Sequence, residues 1–175
     1  FAGIDVITAS EGFINELHIG LKGTMSALYL KDLADKTRRG LEGRIRKGKS
    51  GGGICYGYSV VHKTASDGSI VRGDRSINES EAVIIRRIFN EYKSGRSPRS
   101  IAHSLNHEGI AGPKGGRWSP STIYGNWRRG TGILNNELYI GKLVWNRQHF
   151  IKNPVSGKRQ ARRNPPEKWV TEEVP

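Results

Sequence analysis

The stretch from Gly20 to Ser50, GLKGTMSALYLKDLADKTRRGLEGRIRKGKS, constrains this chain more than any other. Leu21, Met25, Leu28, Leu30, Leu33, Ala34, Leu41 and Ile45 recur at spacings of three and four, the pattern of one buried helix face. The second half turns basic with Arg38, Arg39, Arg44, Arg46, Lys47 and Lys49, and Gly48 followed by Gly51, Gly52 and Gly53 predicts that the helix ends in a flexible hinge. Arginine's planar fork matches phosphate geometry, so these six cations are the expected DNA contacts of this stretch. The plainer reading is a solvated helix face whose charges only keep the protein soluble. A membrane-surface helix fits poorly, because the stretch has no Trp or Phe anchor and its charge is segregated along the axis.

The charge balance favours the first reading. Lys and Arg number 29 against 16 Asp and Glu, a formal net charge of +13 over 175 residues, which makes a polyanion the first partner to consider. The length suits one or two small domains. No apolar run approaches the roughly eighteen residues of a membrane span, and the N-terminus lacks the order of a signal peptide. A single cysteine, Cys55, excludes an internal disulfide and a cysteine-based zinc site, and points to a reducing, intracellular home. Residues Phe1 to Thr8 read as a buried strand carrying Ile4, Val6 and Ile7, closed by Ser10-Glu11-Gly12. A lone strand cannot cover its edges, so the expectation is a chain that starts inside a larger domain.

Further along, Tyr58 to His62 and Ser69 to Val71 suggest a hairpin around the turn Ala65-Ser-Asp-Gly68. Asn78 and Glu81 form a capping-box pattern ahead of Ala82, Ile85, Ile88, Phe89 and Tyr92, predicting an inward-facing helix that ends at Gly95. Ser97-Pro98 opens another helix with Ile101, Ala102 and Leu105 as its core face, closed by Gly109. After a glycine-rich loop, Ile110 to Trp118, Ser119-Pro120 opens a third. It is expected to turn Ile123 and Trp127 inward and to leave Ser121, Thr122, Tyr124, Asn126, Arg128 and Arg129 outward, as residues suited to base edges and phosphates. This is helix-turn-helix logic with a longer connection than the tight version, and the competing reading is an ordinary helical hairpin in a core. Leu138 to Gly141 suggests a helical turn, Lys142 to Asn146 a strand, and Glu167 to Val170 a strand pairing near Val144. Lys152 to Arg163 reads as a mobile basic loop.

No catalytic constellation is visible. The five histidines find no acidic partners at metal-ligand spacing, although His103 and His107 lie one helical turn apart. Gly51-Gly-Gly53 lacks the Lys-Ser/Thr of a phosphate-binding loop, so neither a metal nor a cofactor is expected.

A set of motifs in this order resembles one family over nearly the whole chain. They are Tyr29-Leu-Lys-Asp-Leu-Ala-Asp-Lys-Thr-Arg-Arg-Gly-Leu-Glu-Gly-Arg44, Gly51-Gly-Gly53 with Tyr56-Gly-Tyr58, Trp118-Ser-Pro-Ser-Thr-Ile123, Leu138-Tyr-Ile-Gly-Lys-Leu-Val-Trp-Asn146 and Pro166-Glu-Lys-Trp-Val170. They are similar to the large serine recombinases of the resolvase/invertase type, where the end of a catalytic domain joins a recombinase domain. The resemblance implies an enzyme that cuts DNA with a serine hydroxyl, holds a phosphoserine intermediate stabilised by arginines, and exchanges strands within a tetramer. It also implies that the serine and its Asp-Arg-x-x-Arg motif lie upstream of Phe1, so that this chain alone would not cut. Where the family often has an arginine near the active site stands Lys36, a candidate auxiliary residue. The segment Arg128-Arg-Gly-Thr-Gly-Ile133 is inserted relative to the usual spacing, and the family's zinc ribbon and coiled coil are absent from these residues.

The expectation is therefore an α+β chain: residues 1–50 a remnant of a catalytic domain with its long connecting helix, and residues 51–175 a mixed domain of short strands with a helix-turn-helix at about 97–129. Its partner is double-stranded DNA, with self-association through the helix over 20–45 and no membrane. The resemblance implies a cytoplasmic protein of a bacterial or phage mobile element. The alternative is a non-enzymatic helix-turn-helix transcriptional regulator.

Overall fold

The computed structural model describes residues 6–174 and has the expected α+β character: one long helix, then short helices among antiparallel strand pairs. The expected strand residue Ile4 lies outside the described residues. Strand β1, Val6–Thr8, is not alone. It pairs antiparallel with β2, Gly12–Ile14, in a register that sets Ile7 opposite Phe13. Nor is it buried, since Ile7 is 73% exposed. The Ser10-Glu11-Gly12 segment does not close the strand off; it is the turn that brings its partner back.

Helix α1, Glu16–Ile45, begins earlier than Gly20 and ends before the basic run is over. Most of its apolar residues are exposed. Leu21, Met25, Leu28, Leu30 and Leu33 are all exposed, Leu41 is half-buried, and Ile45 alone is fully buried. The helix also carries Gly20, Gly23, Gly40 and Gly43, each costing about 1 kcal/mol of helix propensity relative to alanine. The chain divides into two compact units after Leu41.

In the second unit, β3, Tyr58–Val60, pairs with β6, Arg75–Ile77, while β4, Lys63–Thr64, pairs with β5, Ile70–Val71. The expected hairpin is thus corrected: Tyr58 to Val60 is matched by a later strand, and Lys63, Thr64 and Ala65 meet the Ser69–Val71 region. The ribbon is continued between the two pairs by Val61 N–H donating to the Asp74 carbonyl at 3.0 Å.

Helix α2, Glu79–Lys93, starts on Asn78, whose side chain accepts from Glu81 N–H. The capping box is not reciprocal, because the Glu81 carboxylate accepts the Gly57 N–H at 2.6 Å and so fastens the helix to the loop before β3. Ala82, Ile85 and Ile88 face in as expected; Tyr92 does not and is exposed near the helix end. Helix α3, Pro98–His107, is capped by Ser97, and α4, Pro120–Tyr124, by Ser119. One core joins them: Ile85, Ile88, Ile101, Ala102, Leu105, Trp118, Ile123 and Ile133. Trp118 belongs to it rather than to a loose loop. Its indole N–H donates to the Ile110 carbonyl at 3.1 Å, its backbone is held on both sides by Asn106, and Tyr56 meets its ring edge-on at 5.1 Å.

The C-terminal part is two antiparallel pairs. Strand β7, Lys142–Trp145, follows the expected helical turn and pairs with β10, Val170–Glu173, setting Thr171 opposite Val144. The Lys152 to Arg163 tract is not a mobile loop but part of a hairpin, β8, Gln148–Lys152, with β9, Arg159–Arg163. Its turn is closed by Asn153, whose side chain accepts from the N–H groups of Val155 and Ser156 at 2.9 Å each.

Candidate nucleic-acid interface

The basic end of α1 resolves into paired and unpaired cations. Arg46 reaches Glu42 at 2.9 Å and Glu172 at 3.9 Å, and Lys49 reaches Asp74 at 3.4 Å. Lys36 is paired one helical turn back with Asp32 at 2.7 Å. Among the described residues Arg38, Arg39, Arg44 and Lys47 have no carboxylate partner. Exposed ion pairs are worth about 0–1 kcal/mol, so Arg46 can trade a carboxylate for a phosphate at little cost. The expected hinge is tied down as far as Ser50. Lys49 N–H donates to the Arg44 carbonyl and Ser50 N–H to the Gly73 carbonyl at 2.8 Å.

Helix α4 is a single short helix that stops at Gly125, so the six outward residues expected on one recognition helix are divided. Ser121 and Thr122 lie in the helix, where both hydroxyls are 2.9 Å from the Ser119 cap hydroxyl. Tyr124 closes it, exposed. Asn126, Arg128 and Arg129 belong to a separate 3-10 turn, Trp127–Arg129, capped by the Asn126 side chain, which accepts the Arg129 N–H at 3.2 Å. Backbone bonds between Asn126 and Thr131, and the Asn135 amide donating to the Tyr124 and Thr131 carbonyls, close this loop from behind. Trp127 is not the core residue its spacing predicts; it is 65% exposed, with the Arg128 guanidinium 5.3 Å from its ring centre. The helix ends too early to carry Trp127 round to the face of Ile123.

Sequence reasoning missed the cations of the β8–β9 hairpin. Residue alternation puts Gln148, Phe150 and Lys152 of β8 on one face with Arg159, Ala161 and Arg163 of β9, and Arg162 on the other. Arg159 lies over Phe150 at 5.2 Å, and Arg163 over Trp169 at 5.3 Å. Arg147 lies over the same Trp169 at 5.2 Å while its guanidinium pairs with Glu137. The signal that could have found the hairpin is Asn153-Pro and Gly157 between two five-residue segments, a turn composition rather than a disordered one. A cleft of about 410 Å³ between this hairpin and the Trp127 turn is lined by Asn126, Arg128, Arg129, Arg147, Gln148 and Arg163.

Cys55 offers no nucleophile. Burial pushes its thiol up, and the side chain is occupied by a bond from the Asn136 amide at 2.8 Å and one to the Tyr139 hydroxyl at 3.3 Å. His103 and His107 stack at 6.5 Å, and no group of three metal-ligating side chains occurs among the described residues. None of the described helices is long and apolar enough to cross a membrane.

This α+β unit thus gathers arginines in excess of their carboxylates around capped, short helices. Residues 79–175, more than half of the chain, match the family model described as Recombinase, and the chain belongs to that family. It is therefore a region of a site-specific recombinase, a class of protein that works on DNA. No curated protein and no solved structure matches it.

Proposed function

We propose that these residues are the DNA-binding region of a serine-type recombinase, which cuts and rejoins duplex DNA through a phosphoserine intermediate whose nucleophile belongs to a part of the protein outside them. Residues 1–50 then carry the connecting helix of a resolvase-type catalytic domain, and residues 51–175 the DNA-binding domain, with α3 and α4 as its helix-turn-helix pair. The observation that carries the reading is the surplus of arginines that have no carboxylate partner among the described residues, at the end of α1 and at the turn after α4, on a chain of the Recombinase family. Arg38, Arg39, Arg44, Arg46, Lys47 and Lys49 hold phosphates; Ser121, Thr122, Tyr124 and Asn126 face the bases, with Arg128 and Arg129 beside them. The protein works in the cytoplasm, on the DNA of a bacterial or phage element.

Replacing Arg44 and Arg46 with glutamine is expected to weaken binding to all duplexes alike. Replacing Ser121 with alanine is expected to cost about 1–3 kcal/mol on a duplex selected by the chain from a randomised pool, and little on an unselected one. Fluorescence anisotropy on the two duplexes separates these outcomes. Equal losses on both from both sets would remove the division into positioning and reading residues.

Self-association through α1 is the second part of the proposal. Leu28 is 62% exposed at the middle of a helix weakened by its glycines, and uncovered apolar surface costs about 25 cal/mol per Å². Two copies of the helix that bury Met25, Leu28 and Leu33 against each other relieve that cost and support the helix. Sedimentation at micromolar concentration is expected to show dimers or larger, and Leu28→Glu with Leu33→Glu monomers. A wild-type monomer would end the assembly claim.

A further inference from the structure

The surface patches left over by this reading are the β8–β9 hairpin and the cleft it forms with the Trp127 turn. Three observations make that cleft a preorganised site rather than a basic surface. Arg163 is placed by its stacking on Trp169, whose indole N–H is in turn fastened to the Asn164 carbonyl at 3.0 Å. Arg147, across the same ring, is neutralised by Glu137, so it serves as a wall and leaves the cleft's surplus charge to Arg128, Arg129 and Arg163. None of these three has a carboxylate partner among the described residues, where the ion pairs all engage other cations. The turn opposite the hairpin is closed by its own hydrogen bonds and still presents the Trp127 indole to solvent. An exposed indole on a closed loop, flanked by arginines, suits a partner that offers both apolar and anionic surface.

We infer that this cleft seats a backbone phosphate of duplex DNA, gripped by Arg128 and Arg129 from the turn and by Arg163 from the hairpin, with Trp127 packed on the adjoining sugar. The inference rests on the DNA-binding reading above and adds to it a second contact element, the β8–β9 hairpin, which holds the duplex from the side opposite the turn. Phosphodiester chemistry fits the site: three planar donors with no competing carboxylate, at a cleft of about 410 Å³ that is too small for a base pair and ample for a phosphate. Because the contact is to the backbone, it holds and orients the duplex and does not read sequence. The opposite face of the hairpin supplies an internal control, since Arg162 sits one residue away and points across the sheet.

The experiment measures binding of the 175-residue chain to an unselected duplex as salt is raised from about 50 to 200 mM, where each phosphate neutralised contributes about 0.9 to the steepness of the log–log salt slope. The variant Arg128→Gln with Arg163→Gln is expected to reduce the slope by up to about 0.9, the share of the one phosphate seated there, and Arg128→Gln alone, on an exposed position away from the core, by less. Arg86→Gln, at an exposed position of α2, with Arg162→Gln removes the same charge elsewhere and is expected to leave the slope within about 0.3 of the wild type. Trp127→Ala is expected to weaken binding several-fold with the slope unchanged, because an apolar contact releases no counterions. An unchanged slope in the Arg128 and Arg163 variants, or an equal loss in the control pair, would overturn the cleft while leaving DNA binding intact. A wild-type chain that does not bind the duplex at all would instead overturn the reading on which the cleft depends.

Discussion

Leu105→Ala is expected to lower the stability of the second unit by about 2–5 kcal/mol, the range for deleting a fully buried leucine that leaves a cavity. Leu105 is 0% exposed and lies in the cluster that joins α2, α3, Trp118 and α4. The side chains around it cannot readily collapse into the space. Trp118 is pinned by its indole bond to Ile110 and by the two Asn106 bonds, and Ile101 and Ala102 are on the same helix as the deleted group. Urea unfolding followed by tryptophan fluorescence reads the loss, with Val83→Ala on the exposed side of α2 as a reference expected to change stability by less than about 0.5 kcal/mol. A shift no larger than that of the reference would mean that the helices do not share this core. The functional consequence follows from position: α4 is too short to stand alone, so a loosened core releases Ser121 and Thr122 from their fixed presentation.

Gly125→Ala is expected to have an effect of similar size, centred on the loop. Gly125 sits at φ 58°, ψ −137°, a backbone region open essentially to glycine, and occupying it with another residue costs on the order of 1–3 kcal/mol. A Cβ there would also run into the Thr131 carbonyl, which is backbone and cannot step aside without opening the Asn126–Thr131 pairing. The expected result is a chain whose core still unfolds cooperatively but whose Trp127–Arg129 turn is displaced, so that affinity for duplex DNA falls at least as far as in Trp127→Ala. Anisotropy titration together with the same urea curve checks both halves. Undiminished binding would mean that the turn's geometry does not matter to the DNA surface.

The elements legible in the sequence are those whose signals are local. Asn78, Ser97 and Ser119 cap helices because a short polar side chain can reach the free N–H groups of the first turn, and each does so here. Ile85, Ile88, Ile101 and Leu105 face inward because helical period and apolar character agree. The family, too, was legible, in motifs spread from Tyr29 to Val170, and the match over residues 79–175 agrees with it.

What depended on distant parts of the chain was not legible. Nothing near Tyr58 says that its partner is Ile77 rather than Val71, since strand pairing is decided by whichever edges the rest of the fold brings together. Glu81 left its capping box because Gly57 N–H came within reach from another element. Trp127 carries the apolar character of a core residue, yet the helix that would have turned it inward ends at Gly125, whose φ of 58° and ψ of −137° leave the helical path. The hairpin of Arg159 and Arg163 has neither β-branched residues in its second strand nor an alternating pattern; pairing with Gln148–Lys152 makes it a sheet, and Trp169 stacking makes Arg163 a fixed cation. Composition alone thus made a polyanion the first partner to consider, because net charge is a sum over residues. Which arginines are free to meet it was decided only by the tertiary structure, because an ion pair depends on which carboxylate the fold places beside each one.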